Sequence, residues 1–215
     1  MKNRYGWKKD LPSQIPWFDH RLKLTLAHTP DVTENRKFVT WVYDQGKEGS
    51  CTANSAMGTN RFIRAVNGLK DFDGSRQFLY RATTQLAGYA GIDEGATIAD
   101  TVEAEVRYGI CHEELWPYST PLSKEPSGEA YTDALNHQVL VHEPVEQTQE
   151  ALEAVIASQR PIHFGMAVYS SFEGINTKAT GIVTMPLKTE RMLGGHALWL
   201  FDYDRPRRVA YGQNS

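Results

Sequence analysis

Gln45-Gly46-Lys47-Glu48-Gly49-Ser50-Cys51-Thr52-Ala53 is the stretch on which the fold turns. Its first half is a turn-rich run with two glycines, which let the backbone bend sharply and let another chain approach it closely. Ser50 then suits a helix N-cap, and a helix is expected over residues 51–66, ended by Asn67-Gly68. Ala53, Ser55, Ala56, Gly58 and Thr59 put small side chains nearly all round that helix. A helix of that kind can be approached from several sides, so it is expected to be central and buried. Just upstream, residues 38–43 (FVTWVY) are β-branched and aromatic and read as a short strand.

Outward from this centre, residues 76–86 and 96–108 read as two further helices, the second with Ile98, Val102 and Val106 on one face and Gly109 as its stop. Trp116-Pro117-Tyr118 is expected to pack two halves together, ahead of a polar loop over 119–130. The second half changes character. Strands are expected at 138–142, 161–169, 195–203 and 209–211, with a helix at 150–158. Helices first and strands later indicate an α+β fold whose halves meet at an interface, a place that favours clefts. Residues 1–40 are irregular, with Trp7, Trp17 and Phe18 as candidate anchors to the body.

Composition narrows the function. The 215 residues are 40% hydrophobic, enough for a substantial core, so wholesale disorder is excluded. Lys and Arg number 23 against 26 Asp and Glu, a net charge of −3, which argues against a dedicated nucleic-acid or anionic-membrane binder. No apolar run approaches the roughly 20 residues of a membrane helix, and no signal-peptide core is visible. Two cysteines cannot make a disulfide framework, so a reducing, cytoplasmic setting is the expectation.

Cys51, His196 and Asn214 carry the chemistry. A cysteine in a helix's first turn feels the positive end of the macrodipole, which favours thiolate, the nucleophilic form. His196 follows Gly194-Gly195 and opens a strand that would hold its ring, and Asn214 is placed to accept the ring's other N–H. The Gln45 amide is a candidate donor to a developing oxyanion, beside the Cys51 backbone N–H. Other candidates read more plainly. Cys111 is expected to be a small core residue and His163 a structural histidine. His137 and His142 lack a partner at ligand spacing, so no metal site and no cofactor are expected. Gly194-Gly195 lacks the Lys-Ser/Thr of a phosphate loop, and Asp202 and Asp204 are expected to be solvated.

These residues resemble a known family. Residues 45–53 look like the active-site segment of papain-like cysteine peptidases, and Gly194-Gly195-His196-Ala197 and Asn214-Ser215 look like that family's histidine and asparagine segments, in the same order. Tyr43-Asp44-Gln45-Gly46, Arg76-Gln77-Phe78-Leu79-Tyr80, Asp93-Glu94-Gly95-Ala96, Tyr108-Gly109-Ile110-Cys111, Leu115-Trp116-Pro117-Tyr118 and Pro161-Ile162-His163-Phe164-Gly165 resemble its bacterial and viral branch. The resemblance implies one peptidase domain over 1–215, with a helical half at about 40–118. A β-barrel-like half would cover about 119–215 plus the N-terminal segment, and the cleft would lie between the two.

It implies Cys51 as nucleophile, His196 as general base and acid, Asn214 as ring orienter and Gln45 as oxyanion donor. Gly49, Gly95 and Gly195 would contact substrate through their backbones. The activity implied is hydrolysis of a peptide or protein through a thioester. An amidase or cell-wall peptide hydrolase, or a catalytically silent binding module, stands as the alternative. Three departures are visible: Glu48 where many relatives have a disulfide cysteine, Thr52 for the usual aromatic, and no Trp-Gly after Asn214-Ser215. About 40 residues precede Gln45, fewer than the long helical inhibitory prosegment of lysosomal relatives.

Overall fold

The structure, a computed structural model, describes residues 5–11 and 28–215. Its centre is α1 (Cys51–Val66), in which every residue from Cys51 to Gly58 is buried, as the ring of small side chains leads one to expect. Against it pack α2 (Arg76–Leu86) and α3 (Ile98–Arg107), around a core that includes Met57, Leu79, Tyr80, Ala104 and Ile110. Ser75 and Thr97 cap these two helices by accepting from Phe78 N–H and Asp100 N–H at 2.9 Å each, caps worth about 1 kcal/mol apiece. A short α4 (Gly128–Ala134) begins inside the stretch expected to be loop; it buries Ala130 and Ala134 against Phe78, Cys111 and Trp116. Trp116 therefore packs among helices, while Tyr118 turns toward residues 45–54.

The strands form two small sheets. Trp7–Lys8 (β1) pairs in parallel with Ala96–Thr97 (β2), which precedes α3 and removes its first two expected residues from the helix. The buried face of α3 also differs from the expected one: Thr101, Ala104 and Glu105 are buried, and Ile98, Val102 and Val106 only half so. Small and hydrogen-bonding side chains let α3 come close to its neighbours; the Thr101 hydroxyl, for one, donates back to the Thr97 carbonyl. The larger sheet holds β3 (Ile162–Tyr169), β4 (Met192–Asp204) and β5 (Val209–Gln213), all antiparallel with β4 central. Helix α5 (Gln149–Ala157) covers it through Val155 and Ile156, which meet Ile162 and Tyr203, and α6 (Ile175–Thr180) lies between β3 and β4 in sequence.

A barrel-like half is not what forms. Among the described residues the sheet is open, with β3 and β5 each paired to β4 alone. Two expected strands are missing, and each has a local reason. Residues 38–43 run without strand pairing. Phe38, Val39 and Trp41 pack on Phe62, Trp199 and Phe201, and Trp41 and Tyr43 lie against the Arg61 guanidinium. Their aromatic and branched content therefore serves packing on α1. Residues 138–142 spend their hydrogen bonds on the end of α3: Val139 N–H donates to the Glu105 carbonyl, and the Gln138 amide to those of Val106 and Arg107. Asp202 is buried and not solvated. It accepts from the Asn35 and Arg36 backbone N–H groups at 2.7 and 2.8 Å, fixing a 3-10 turn over Asn35–Phe38.

One close approach sets the position of α1 on the sheet. A Cβ on Gly58 would stand 2.3 Å from the Trp199 indole nitrogen, so only glycine admits the ring there. Gly58 lies two turns along α1 from Cys51, and Trp199 three residues along β4 from His196. Trp7 anchors the N-terminal segment in the same way, its indole packed closely against Gly165 and Gly195 of adjacent strands. Trp17 and Phe18 lie outside the described residues.

Candidate active site

Cys51 opens α1, and the cap of that helix is unlike the others. Ser50 makes no side-chain cap; its hydroxyl sits 2.5 Å from the Tyr118 hydroxyl instead. The first N–H groups of α1 are thus left to whatever occupies the Cys51 side. The thiol is wholly buried, and burial pushes its pKa up, opposed by the backbone N–H groups of Ala197, Gly6, Thr52 and Cys51 itself. Ala197 is the residue after His196 on β4, so helix N-terminus and strand meet at this sulfur.

His196 Nε2 stands 2.6 Å from Asn214 Oδ1. With the amide oxygen as acceptor, Nε2 is the protonated nitrogen of a neutral ring and Nδ1 is bare. Nδ1 is buried and has no hydrogen-bond partner. Burial pushes the His196 pKa down, and Asn214 partly offsets it. A raised thiol and a lowered imidazole favour the neutral form of each group in this state.

Gln45 is buried at the mouth of the loop. Its Nε2 donates to the Glu48 carbonyl at 2.8 Å, and its Oε1 accepts from Ser215 Oγ at 2.9 Å. Gly46 takes φ of +61°, a turn conformation suited to glycine, with its N–H held by Asp44 Oδ1. The residues that hold this loop fall in segments of family resemblance, but the sequence assigns them no part at the site. The Tyr118 hydroxyl donates to the Gln45 carbonyl at 3.1 Å, and Arg76 stacks on Tyr118 and Tyr43 while donating to Asn54 Oδ1 at 2.7 Å. Glu48 turns inward to accept from Gln77 Nε2 at 3.0 Å; burial pushes its carboxyl up. Tyr118, expected to pack two halves together, is shown by its contacts to Ser50 and Gln45 to hold this loop.

Gly49, Gly95 and Gly195 all press on the same object, the chain's own segment Tyr5-Gly6-Trp7. A Cβ on Gly6 would fall 1.9 Å from the Gly49 carbonyl oxygen, one on Gly95 would fall 2.0 Å from the Gly6 oxygen, and one on Gly195 would fall 2.4 Å from the Trp7 oxygen. The Gly6 carbonyl accepts from Ala96 N–H at 2.8 Å, and the Gly6 N–H reaches the Cys51 thiol. The Tyr5 ring meets His196 edge-on at 5.5 Å, and its hydroxyl donates to Glu173 at 2.7 Å. An extended peptide backbone thus lies over sulfur and imidazole together, in a groove walled by glycines.

Cys111 is buried, with its thiol pushed up to about 12 by burial, an inert core cysteine. His163 is held neutral, its pKa pushed down to about 4 by burial. His137, expected to lack ligand partners, instead sits with His112 and Asp133 in the helical part of the molecule.

The family model of the papain family cysteine proteases matches residues 26–212. The chain is 28% identical to an uncharacterized peptidase C1-like protein of Acanthamoeba polyphaga mimivirus, over all of this chain and 78% of that one. Among solved structures, it resembles xylellain, a cysteine protease from Xylella fastidiosa, with a TM-score of 0.83, 29% identity, and coverage of 98% of this chain and 85% of that one. A procathepsin B of Trypanosoma congolense shares the fold at 14% identity and a TM-score of 0.66, covering 97% of this chain and 70% of its own.

Proposed function

The chain belongs to the papain family of cysteine proteases, and from that premise we propose that residues 1–215 act as one peptidase domain whose Cys51, His196 and Asn214 cleave peptide bonds. In the neutral pair, His196 Nδ1 takes the thiol proton as Cys51 sulfur attacks the scissile carbonyl carbon. The oxyanion so formed draws on the Gln45 amide and the Cys51 backbone N–H. The C–N bond breaks as His196 returns that proton to the departing amine, leaving a thioester. Water, giving a proton to His196, attacks the thioester, and the thiol leaves reprotonated. Asn214 keeps Nε2 as donor throughout, so Nδ1 is the nitrogen that takes up and returns the proton.

One observation supports this reading above others: the three glycines that the family resemblance singles out close around a single stretch of backbone, residues 5–7, beside the Cys51 thiol. Residues 5–8 take the place of substrate. Their backbone presents an N–H to the sulfur, and the Gly6 carbonyl points away to Ala96, so the segment blocks the groove without offering it a bond to cut. The neutral, desolvated thiol is a consequence of that cover. Once the segment leaves, water returns and the N-terminus of α1 favours thiolate.

The experiment compares the chain with and without residues 1–11, each with Cys51 or Cys51→Ala, on short peptides, unfolded protein and peptidoglycan fragments. Hydrolysis of peptides or protein that rises on removing the segment and vanishes in Cys51→Ala supports the proposal. The buried thiol favours a silent binding module as the second reading. Tight peptide binding with no turnover in the shortened chain would establish that instead.

A further inference from the structure

We propose that His112, Asp133 and His137 form a binding site for a divalent transition ion of the zinc type, separate from the catalytic groove. The sequence separates His112 from the other two by more than twenty residues. The fold closes the gap from both sides. Helix α4 continues into a 3-10 turn over Leu135–His137, so Asp133 and His137, four apart, project from one face. His112 comes from the segment after Gly109, whose φ of +72° turns the chain out of α3. Two backbone hydrogen bonds hold that segment, Ser75 N–H to the Cys111 carbonyl at 2.7 Å and Glu113 N–H to the Asp73 carbonyl at 2.9 Å, and together they set Gly74 opposite His112 as an antiparallel bridge.

The donor atoms of the three side chains lie within 4.8 Å of one another. Bonds of about 2.0–2.1 Å in tetrahedral array put ligand atoms roughly 3.3 Å apart, so side-chain rotation alone closes the shell. Asp133 Oδ2 already stands 2.9 Å from His112 Nδ1 and accepts from the His112 backbone N–H at 2.8 Å. The rings are supported as well: His137 stacks on Phe72 at 4.2 Å, and His112 meets Phe72 and His137 edge-on at 4.9 Å each. Such packing limits the rotamer entropy lost on binding.

All three residues are half-buried, so an ion and a completing water reach them. Two imidazoles and one carboxylate suit zinc, cobalt or nickel and disfavour calcium and magnesium, which take oxygen shells. The ion would join α4 to the segment that follows α3, acting as a staple.

The test uses Cys51→Ala full-length chain, to remove the catalytic thiol as a competing ligand, titrated with zinc chloride in a calorimeter. The proposal predicts one zinc per chain, and a loss of affinity in His137→Gln and in Asp133→Asn at least as large as the roughly 10–100-fold that follows loss of a supporting partner at a metal site. Calcium at the same concentration is predicted to give no heat. Unfolding midpoints in chelator show whether the variants keep their fold. Should they not, the unsubstituted histidines answer by chemical labelling: zinc must protect His112 and His137 from carbethoxylation while exposed His142 stays reactive. No saturable binding, binding unchanged in both variants, or labelling of His112 and His137 unaltered by zinc would overturn the site.

Discussion

Replacing Gly6 by alanine tests the cover over the thiol with one methyl group. That methyl would fall 1.9 Å from the Gly49 oxygen and 2.4 Å from its carbonyl carbon, both backbone atoms that no rotamer change relieves. The segment has to retreat by about an ångström, which breaks the 2.8 Å bond from Ala96 N–H to the Gly6 carbonyl. A net hydrogen bond is worth about 0.5–1.5 kcal/mol and overpacking costs about 1–3 kcal/mol. Together these shift the closed state by roughly 2–4 kcal/mol, or about 30- to 700-fold in its equilibrium. Tyr5 and Trp7 keep their own contacts, so the change stays local. Initial rates on a short fluorogenic peptide, with alkylation of Cys51 by iodoacetamide followed by mass spectrometry, read out the effect. Both are expected to rise in Gly6→Ala toward the values of the chain lacking residues 1–11. The partner substitution works in the opposite sense: Gly95→Ala puts a methyl 2.0 Å from the Gly6 oxygen at φ of +79°, and so obstructs substrate as well as segment. A folded Gly6→Ala protein with unchanged rate and a still-protected thiol would refute the reasoning.

Gln45→Ala is expected to lower kcat by roughly 10²–10³ with little change in KM, as loss of one oxyanion donor does; steady-state kinetics on the uncovered chain measure it. Gly58→Ala forces a methyl against the Trp199 nitrogen at 2.3 Å. Its overpacking cost of about 1–3 kcal/mol outweighs the gain of up to about 1 kcal/mol in helix preference, so urea unfolding is expected to shift to a lower midpoint. Glu105 is buried in α3, and burial pushes its carboxyl from 4.5 up to about 8. The unfolded chain therefore gives up this proton first, and the stability the group contributes is complete below about pH 4.5 and falls away as pH rises toward 8. By pH 7 the loss is about 3 kcal/mol, so Glu105→Gln is expected to be more stable than the parent at pH 7 to 8 and to flatten that slope in denaturant titrations.

Much of this molecule could be read before any coordinates. The helices at Cys51 and Arg76 span the expected residues, although Ser50 does not cap the first through its side chain. The strands at 162–169 and 192–204 are runs long enough to announce themselves. The sequence reading failed where a residue's partner is distant. The aromatic run near Trp41 packs on Arg61 and Phe62, and nothing within a few residues says so. Asp202 looks like a solvated turn residue until Asn35 and Arg36, far away in sequence, are brought over it. The barrel does not close, because β3 and β5 each pair with β4 alone among the described residues. At the site, Cys51, His196, Asn214 and Gln45 stood out by residue type and flanking glycines. Tyr118, Arg76 and Glu48 fall in the same motifs, but nothing local says that their work is to hold a loop. In the covering segment only Trp7 stands out, as an aromatic anchor; Tyr5-Gly6-Trp7 has no motif, and only the glycines opposite show that it lies in a groove.

The central claim is that the sulfur of residue 51, paired with His196, does the cleaving. It is tested most directly by titrating the chain lacking residues 1–11 with a thiol-directed electrophile at mildly acidic pH, following peptide hydrolysis and mapping the modified cysteine in the same samples. The account predicts that modification falls on Cys51, that Cys111 stays unmodified, and that activity is lost in proportion, one thiol per active chain. Hydrolysis that continues after Cys51 is fully capped would contradict it.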